Sequence, residues 1–179
     1  MTGKSPCAKL RAALCGAIIG LGYMVPASPG SADDTRPPMP ALLLVDGSGM
    51  NFPLSRYLGS VLVLQFWNAA CPPCLTELSA LNRLQGDFPG LPLLVLAVSE
   101  DKDGMAALRS LMGRQKLGYL RPFADPGGSA AQALAVRGLP TSFVIDRHGH
   151  LAMHFEGPQP WDRPAVENRL KFLMLESYP

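Results

Sequence analysis

At 179 residues the chain has the length of one domain, and its 47% hydrophobic content is ample for a core and too high for a disordered chain. The formal charge of +2 comes from Lys4, Lys9 and Arg11 at the front; from Asp33 onward 13 basic residues face 14 acidic ones. No basic stripe is left to neutralise a phosphate backbone, which argues against nucleic acid as a partner.

Those three early cations precede an apolar run of 14 residues, Ala12 to Val25, followed by the small residues of Val25-Pro26-Ala27 and Gly30-Ser31-Ala32. A positive start, an apolar middle and a small-residue exit make a secretory signal. The run is short of the ~20 residues that cross a bilayer comfortably, so a cleaved signal is expected, with an uncleaved membrane anchor as the other reading. Bulky Leu14 argues against lipidation at Cys15. The expected organisation is a signal peptide or anchor over 1–32 and a single domain over 33–179. Without Cys7 and Cys15, the exported protein keeps only Cys71 and Cys74.

Next comes an extended lead-in, Arg36-Pro37-Pro38-Met39-Pro40, in which helix is forbidden. Ala41 to Val45 reads as a short strand closed by the turn Asp46-Gly47-Ser48-Gly49. Val61 to Trp67 is almost continuously apolar, the pattern of a strand buried on both faces. Pro73 to Phe88 carries Leu75, Leu78, Leu81, Leu84 and Phe88 at helical spacing. Leu93 to Val98 is a second buried strand and Met105 to Lys116 a second helix, an order expected of a parallel βαβ unit. A short helix over Ala130 to Val136 leads to Gly138-Leu139-Pro140. Thr141 to Asp146 and Leu151 to Phe155 then form a hairpin about Arg147-His148-Gly149. Trp161 to Leu175 reads as the closing helix, with Val166, Leu170 and Leu173 on one face. One α/β domain accounts for all of this.

Cys71-Pro72-Pro73-Cys74 lies where a buried strand gives way to a helix, so free amides and the positive end of the helix dipole point at it. That field favours a thiolate on Cys71, and the thiolate is the nucleophile. Cys74, one turn further in, is placed to resolve a mixed disulfide; no cofactor is needed beyond the Cys71–Cys74 pair itself. A bridge this local closes too small a loop to stabilise the fold much, so reactivity explains it better. Pro72 and Pro73 fit a first helical turn but remove two N–H groups from the neighbourhood of the Cys71 sulfur, which implies a more reducing pair. A structural zinc would want a second cysteine pair, and His148, His150 and His154 sit on a distant hairpin, where surface roles are expected. Copper binding by the two thiols is an alternative. A peroxidase would want a reactive cysteine apart from the pair.

Phe66-Trp67-Asn68-Ala69-Ala70-Cys71-Pro72-Pro73-Cys74-Leu75-Thr76-Glu77-Leu78 resembles the active-site segment of the TlpA/ResA/CcmG-like branch of thioredoxins. Gly138-Leu139-Pro140-Thr141-Ser142-Phe143-Val144-Ile145-Asp146-Arg147-His148-Gly149 resembles that branch's second signature. The likeness runs from about Pro37 to Leu175. It implies a thioredoxin-like α/β fold with a central mixed sheet flanked by helices, a βα insertion and an N-terminal extension. It implies a cis peptide bond at Pro140, facing the cysteines, with the backbone before it pairing with an extended substrate. Glu77 matches the branch's acidic residue, expected beside Cys74 and able to take its proton. Leu139, Pro140, Pro72, Pro73 and Trp67 make up the expected substrate surface, Trp67 chiefly by packing beneath the loop. Glu100-Asp101 is expected to be a solvated loop, with a place on the rim of the site as the alternative. Gln65 departs from the Asp of thioredoxins, which removes support for acid–base chemistry there, and Ala70 replaces the Trp usual before the first cysteine.

The resemblance implies a periplasmic thiol–disulfide oxidoreductase, reducing cysteine pairs in exported proteins such as apocytochromes or copper-site assembly factors. A membrane electron-transfer protein would recharge it. A disulfide oxidase or isomerase and a copper-binding thiol chaperone are the alternatives.

Overall fold

The computed structural model describes residues 35–178; the signal or anchor expected over 1–32, with Cys7 and Cys15, lies outside them. Strand β1 (Leu43–Asp46) turns at Gly49 into β2 (Asn51–Pro53), and a 3-10 turn follows at Leu54–Tyr57. The next elements are β3 (Val61–Trp67), α1 (Pro72–Asp87), β4 (Leu93–Ser99), α2 (Gly104–Gln115), β5 (Arg121–Ala124) and α3 (Ser129–Ala133). The chain closes with β6 (Thr141–Ile145), β7 (Leu151–Glu156) and α4 (Pro164–Leu175).

The seven strands form one mixed sheet in the order β2-β1-β5-β4-β3-β6-β7. β3, β4 and β5 are parallel neighbours, and the remaining pairings are antiparallel. Every residue of β3 is buried, as its unbroken apolar run requires of a strand covered on both faces. Its side chains alternate between two cores. Val61, Val63 and Trp67 face a layer built with Cys74, Leu78, Leu81 and Leu84 of α1 and Leu170 and Leu173 of α4. Leu62, Leu64 and Phe66 face the opposite layer, with Leu44, Leu54, Leu134 and Phe143. Gln65 falls on the α1 side of this alternation, where it interrupts an apolar face.

Besides β2, for which no strand was expected, three elements differ from expectation. β5 carries Pro122, which hides the strand signal; β1 pairs only with Phe123 and Ala124, so at Pro122 one flank has no partner strand and the missing N–H is tolerated. α3 ends sooner than expected, and the left-handed Ala135 (φ 54°) follows it. α4 begins at Pro164 with Arg163 as its N-cap, leaving Trp161 in the connection from β7. A proline at the first helical position is the reason for that later start.

The lead-in 36–39 is fixed at the β6–β7 turn, the far end of β6 from Pro140. Leu151 N donates to Pro37 O (2.8 Å) and Met39 N to Gly149 O (2.8 Å). The Arg36 guanidinium reaches the Asp146 carboxylate at 3.2 Å and Glu176 at 3.0 Å. Gly149 adopts φ 90°, and a Cβ there would stand 2.8 Å from the Leu58 side chain, so only glycine fits this turn. His148 and His154 are exposed on the hairpin and His150 is half-buried, in the surface roles expected of them.

Candidate active site

Cys71 and Cys74 are joined as a disulfide, their Cα atoms 5.3 Å apart. Cys71 is the N-cap of α1: its Sγ accepts from the Cys74 amide at 3.3 Å, doing what a Ser or Asp side chain does at other helix starts. Pro72 and Pro73 occupy the first two helical positions and donate nothing, so Cys74 N–H is the first amide of the helix that the sulfur can meet. Cys71, Pro72 and Pro73 are at the surface to differing degrees, while Cys74 is wholly buried among Trp67, Leu78 and their neighbours. Access therefore separates the two sulfurs. The outer one can be reached by a partner and the inner one only by its neighbour.

Trp67, expected on the substrate surface, is fully buried and touches no partner face. It ends β3 as a floor under the reactive loop, the packing half of the expectation. The Leu139–Pro140 peptide is cis. Pro140 is buried and its carbonyl accepts from Gly157 N at 2.9 Å, while half-buried Leu139 packs on the same core layer as Cys71.

Glu77 is 4% exposed and is enclosed by hydrogen-bond donors. Its Oε1 accepts from Trp161 Nε1 at 2.5 Å and Gln159 N at 3.3 Å, and its Oε2 from Gln65 Nε2 at 3.2 Å. Ser142 Oγ in turn donates to Gln65 Oε1. This contact follows from register, because Gln65 and Ser142 are opposite one another in the antiparallel β3–β6 pair. Burial pushes the Glu77 carboxyl up from its ordinary value, and the hydrogen bonds from Trp161, Gln159, Gln65 and Ser142 pull partly against it. The polar Gln65 in an apolar strand thus serves the carboxylate.

The Glu100-Asp101 segment departs from the solvated loop expected. The Asp101 carboxylate accepts from Ala69 N at 3.0 and 3.3 Å and from Ser99 Oγ at 3.0 Å, fastening the turn just before Cys71 to the end of β4. Glu100 N donates to Trp67 O at 2.8 Å. The Glu100 carboxyl is pushed up to about 7, first by burial and then by the charge of Asp125. Sequence reasoning missed Gln159 and Trp161 as parts of this site and held Asp101 there only as the alternative to a solvated loop. Each lies in a connection, and in sequence Trp161 stands 84 residues from Glu77. Among the described residues no group of His, Cys, Asp and Glu is arranged to hold a metal ion.

The chain is similar to known proteins in sequence and fold. The model of the AhpC/TSA family matches residues 36–154. The thiol–disulfide oxidoreductase ResA of Bacillus thuringiensis subsp. konkukian is 28% identical over 133 residues, 74% of either chain. ResA of Geobacillus kaustophilus is 29% identical over 121 residues, 66% of this chain and 67% of its own. Among solved structures, a Chlorobium tepidum chain assigned as the thiol:disulfide interchange protein DsbE superimposes with a TM-score of 0.70 at 28% identity, covering 79% of this chain and 98% of that one. The exposed lipoprotein thioredoxin Etrx1 of Streptococcus pneumoniae gives 0.63 at 26% identity, covering 75% and 100%. With a thioredoxin-like sheet, a cysteine pair capping its first helix and relatives of this kind, the chain belongs to the AhpC/TSA family, in the TlpA/ResA/CcmG-like branch of thioredoxin-fold thiol–disulfide oxidoreductases.

Proposed function

We propose that the protein is an exported reductant that opens disulfides in other exported proteins. The observation that carries this reading is the unequal access of the two sulfurs within one capped helix turn, Cys71 reachable and Cys74 buried. In the reduced enzyme the Cys71 thiolate attacks one sulfur of a substrate disulfide. A mixed disulfide forms, and the second substrate sulfur leaves as a thiolate that takes up a proton. Cys74 then gives its proton to Glu77 and attacks Cys71 Sγ, and the first substrate sulfur departs and is protonated. Two electrons pass to the substrate, and the enzyme is left with the Cys71–Cys74 disulfide.

A carboxyl lifted by burial is better matched to a thiol than an exposed one, because general-base catalysis favours a pKa near working pH. Leu139 supplies the backbone that pairs with an extended substrate segment, and Pro72 and Pro73 give that segment a flat apolar rest. The secretory pattern of the first 32 residues supports a periplasmic setting, with or without an anchor. The substrates are cysteine pairs of the kind found in apocytochromes or copper-site assembly factors. A membrane electron-transfer protein returns the electrons, because the compartment itself supplies oxidising power.

The reduction potential of the pair tests the direction. A value nearer about −270 than about −120 mV is expected, and one near the upper figure would make the protein an oxidase. A Cys74→Ala variant should accumulate mixed disulfides through Cys71 and so identify the substrate by mass spectrometry. Tight stoichiometric Cu(I) binding with negligible exchange would favour the copper chaperone instead.

A further inference from the structure

Glu77 is held mainly from outside the reactive helix. The strongest tie comes from the connection between β7 and α4, where the indole of Trp161 is fully buried and donates to Oε1. Phe155 fixes that ring edge-on, with centroids 5.7 Å apart. Gln159 N donates to the same oxygen, and Gln159 Nε2 closes on Gly157 O at 3.3 Å. Gly157 N is bonded to Pro140 O. One short segment therefore joins the loop bearing Pro140 to the Glu77 carboxylate.

We propose that Trp161 is a positioning residue for the exchange reaction, orienting the Glu77 carboxylate by its indole N–H and stabilising the charged form that accepts the Cys74 proton. The inference rests on the reading of Glu77 as that acceptor. The groups facing the carboxylate are neutral on each element described: Gln65 on β3, Ser142 on β6, Trp161 and Gln159 on the connection. On its own helix, Cys74 is the titratable group one turn earlier. Removing the indole donor leaves burial less opposed, so Glu77 holds its proton to higher pH and the base becomes available later. A ring that served packing alone would affect stability and leave the pH at which Glu77 titrates unchanged.

The experiment compares wild type, Glu77→Gln, Trp161→Phe and the double variant in reduction of glutathione disulfide across pH. The carboxyl carbon of Glu77 is followed by ¹³C NMR alongside. A second form of the protein carries the benzothienyl isostere of tryptophan at position 161, which keeps the shape of the ring and loses only the N–H. It serves if the phenylalanine variant folds poorly. Both position-161 changes are expected to move the Glu77 titration and the acid limb of the rate profile up together by about one pH unit, and so to slow exchange about tenfold below that limb. Glu77→Gln is expected to abolish that limb, with nothing further lost in the double variant. If Glu77→Gln leaves the profile as it was, the acceptor role falls and takes this inference with it. If Glu77→Gln removes the limb while the position-161 changes leave the Glu77 midpoint in place, or act equally when Glu77→Gln is already present, the acceptor role stands and the role of Trp161 is overturned.

Discussion

Two carboxylates near the end of the sheet are both lifted in pKa, but for different balances of cause. Glu77 is desolvated and compensated by donors on both oxygens. Glu100 has a buried Oε1 with no hydrogen-bond partner among the described residues, and a like charge at Asp125. A folded-state pKa raised to about 7 against an ordinary 4.5 contributes stability below the lower value and loses it as pH rises through the upper one. Glu100→Gln should therefore leave stability unchanged at pH 4 and raise it above pH 7 by about 1–2 kcal/mol, after allowance for solvent screening. Urea unfolding at the two pH values measures it, and an equal gain at both would show that burial and Asp125 do not act as stated. At Cys71 the missing donors are the issue. Pro72→His returns an N–H and a polar ring to the first turn, so the Cys71 pKa should fall and the potential rise by some tens of millivolts, about 30 mV for each 1.4 kcal/mol. A titration of the thiol with the potential measured on the same sample checks both signs. The chemistry of Cys71 and Cys74 was legible from the sequence because strand, helix start and spacing are all local. The surroundings of Glu77 were not, since Gln65, Ser142 and Trp161 meet it only through strand register and the path of the last connection.

At the level of elements, apolar pattern located β3, β4, α1 and the β6–β7 hairpin within a residue or two, because each is long or strongly patterned. The elements that escaped are short or interrupted. β2 has three residues, β5 contains a proline, and the first turn expected of α4 is a connection ending at a proline. Connections are also where the reactive loop finds its fastening. Asp101, just past β4, holds Ala69 N and Ser99 Oγ, so Asp101→Ala unties the turn before Cys71 from the end of β4. Loss of these partly exposed bonds should cost about 1 kcal/mol in stability. The loop that orients Cys71 is loosened at the same time, and slower attack on small disulfides should accompany the loss. Stopped-flow exchange set against thermal melting separates the two effects; a full loss of stability with unchanged attack would mean that the loop keeps its shape unaided.

For the molecule as a whole, two core layers divided by one sheet carry the stability, and the cysteine bridge spans a separation of three residues. Chain entropy gives so small a loop little to contribute. Any difference in stability between oxidised and reduced protein therefore reports the redox couple. By the thermodynamic cycle, a pair more reducing in the folded protein than in the denatured chain makes the oxidised form the more stable, by about 1.4 kcal/mol per 30 mV. The oxidised protein should melt higher than the reduced one in paired calorimetric scans, and the reverse order would count against a reductant. The fold class was legible at this scale because strand and helix order alone narrows the topologies. The family resemblance implied the mixed sheet, which the strand pairings bear out, whereas the sorting of side chains into two cores required the pairings themselves.

The sulfur of Cys71 is also the cap of the helix, and a cap has no sense of forward or back. The amide that steadies this atom while it gathers charge to strike a partner steadies it equally when it is expelled by an incoming thiol, since a better-stabilised thiolate is the better leaving group. The helix start accordingly hastens traffic both ways across the same barrier. Which way electrons flow over many turnovers is set by the potential of the pair measured against those of the donor that refills it and the acceptor that drains it.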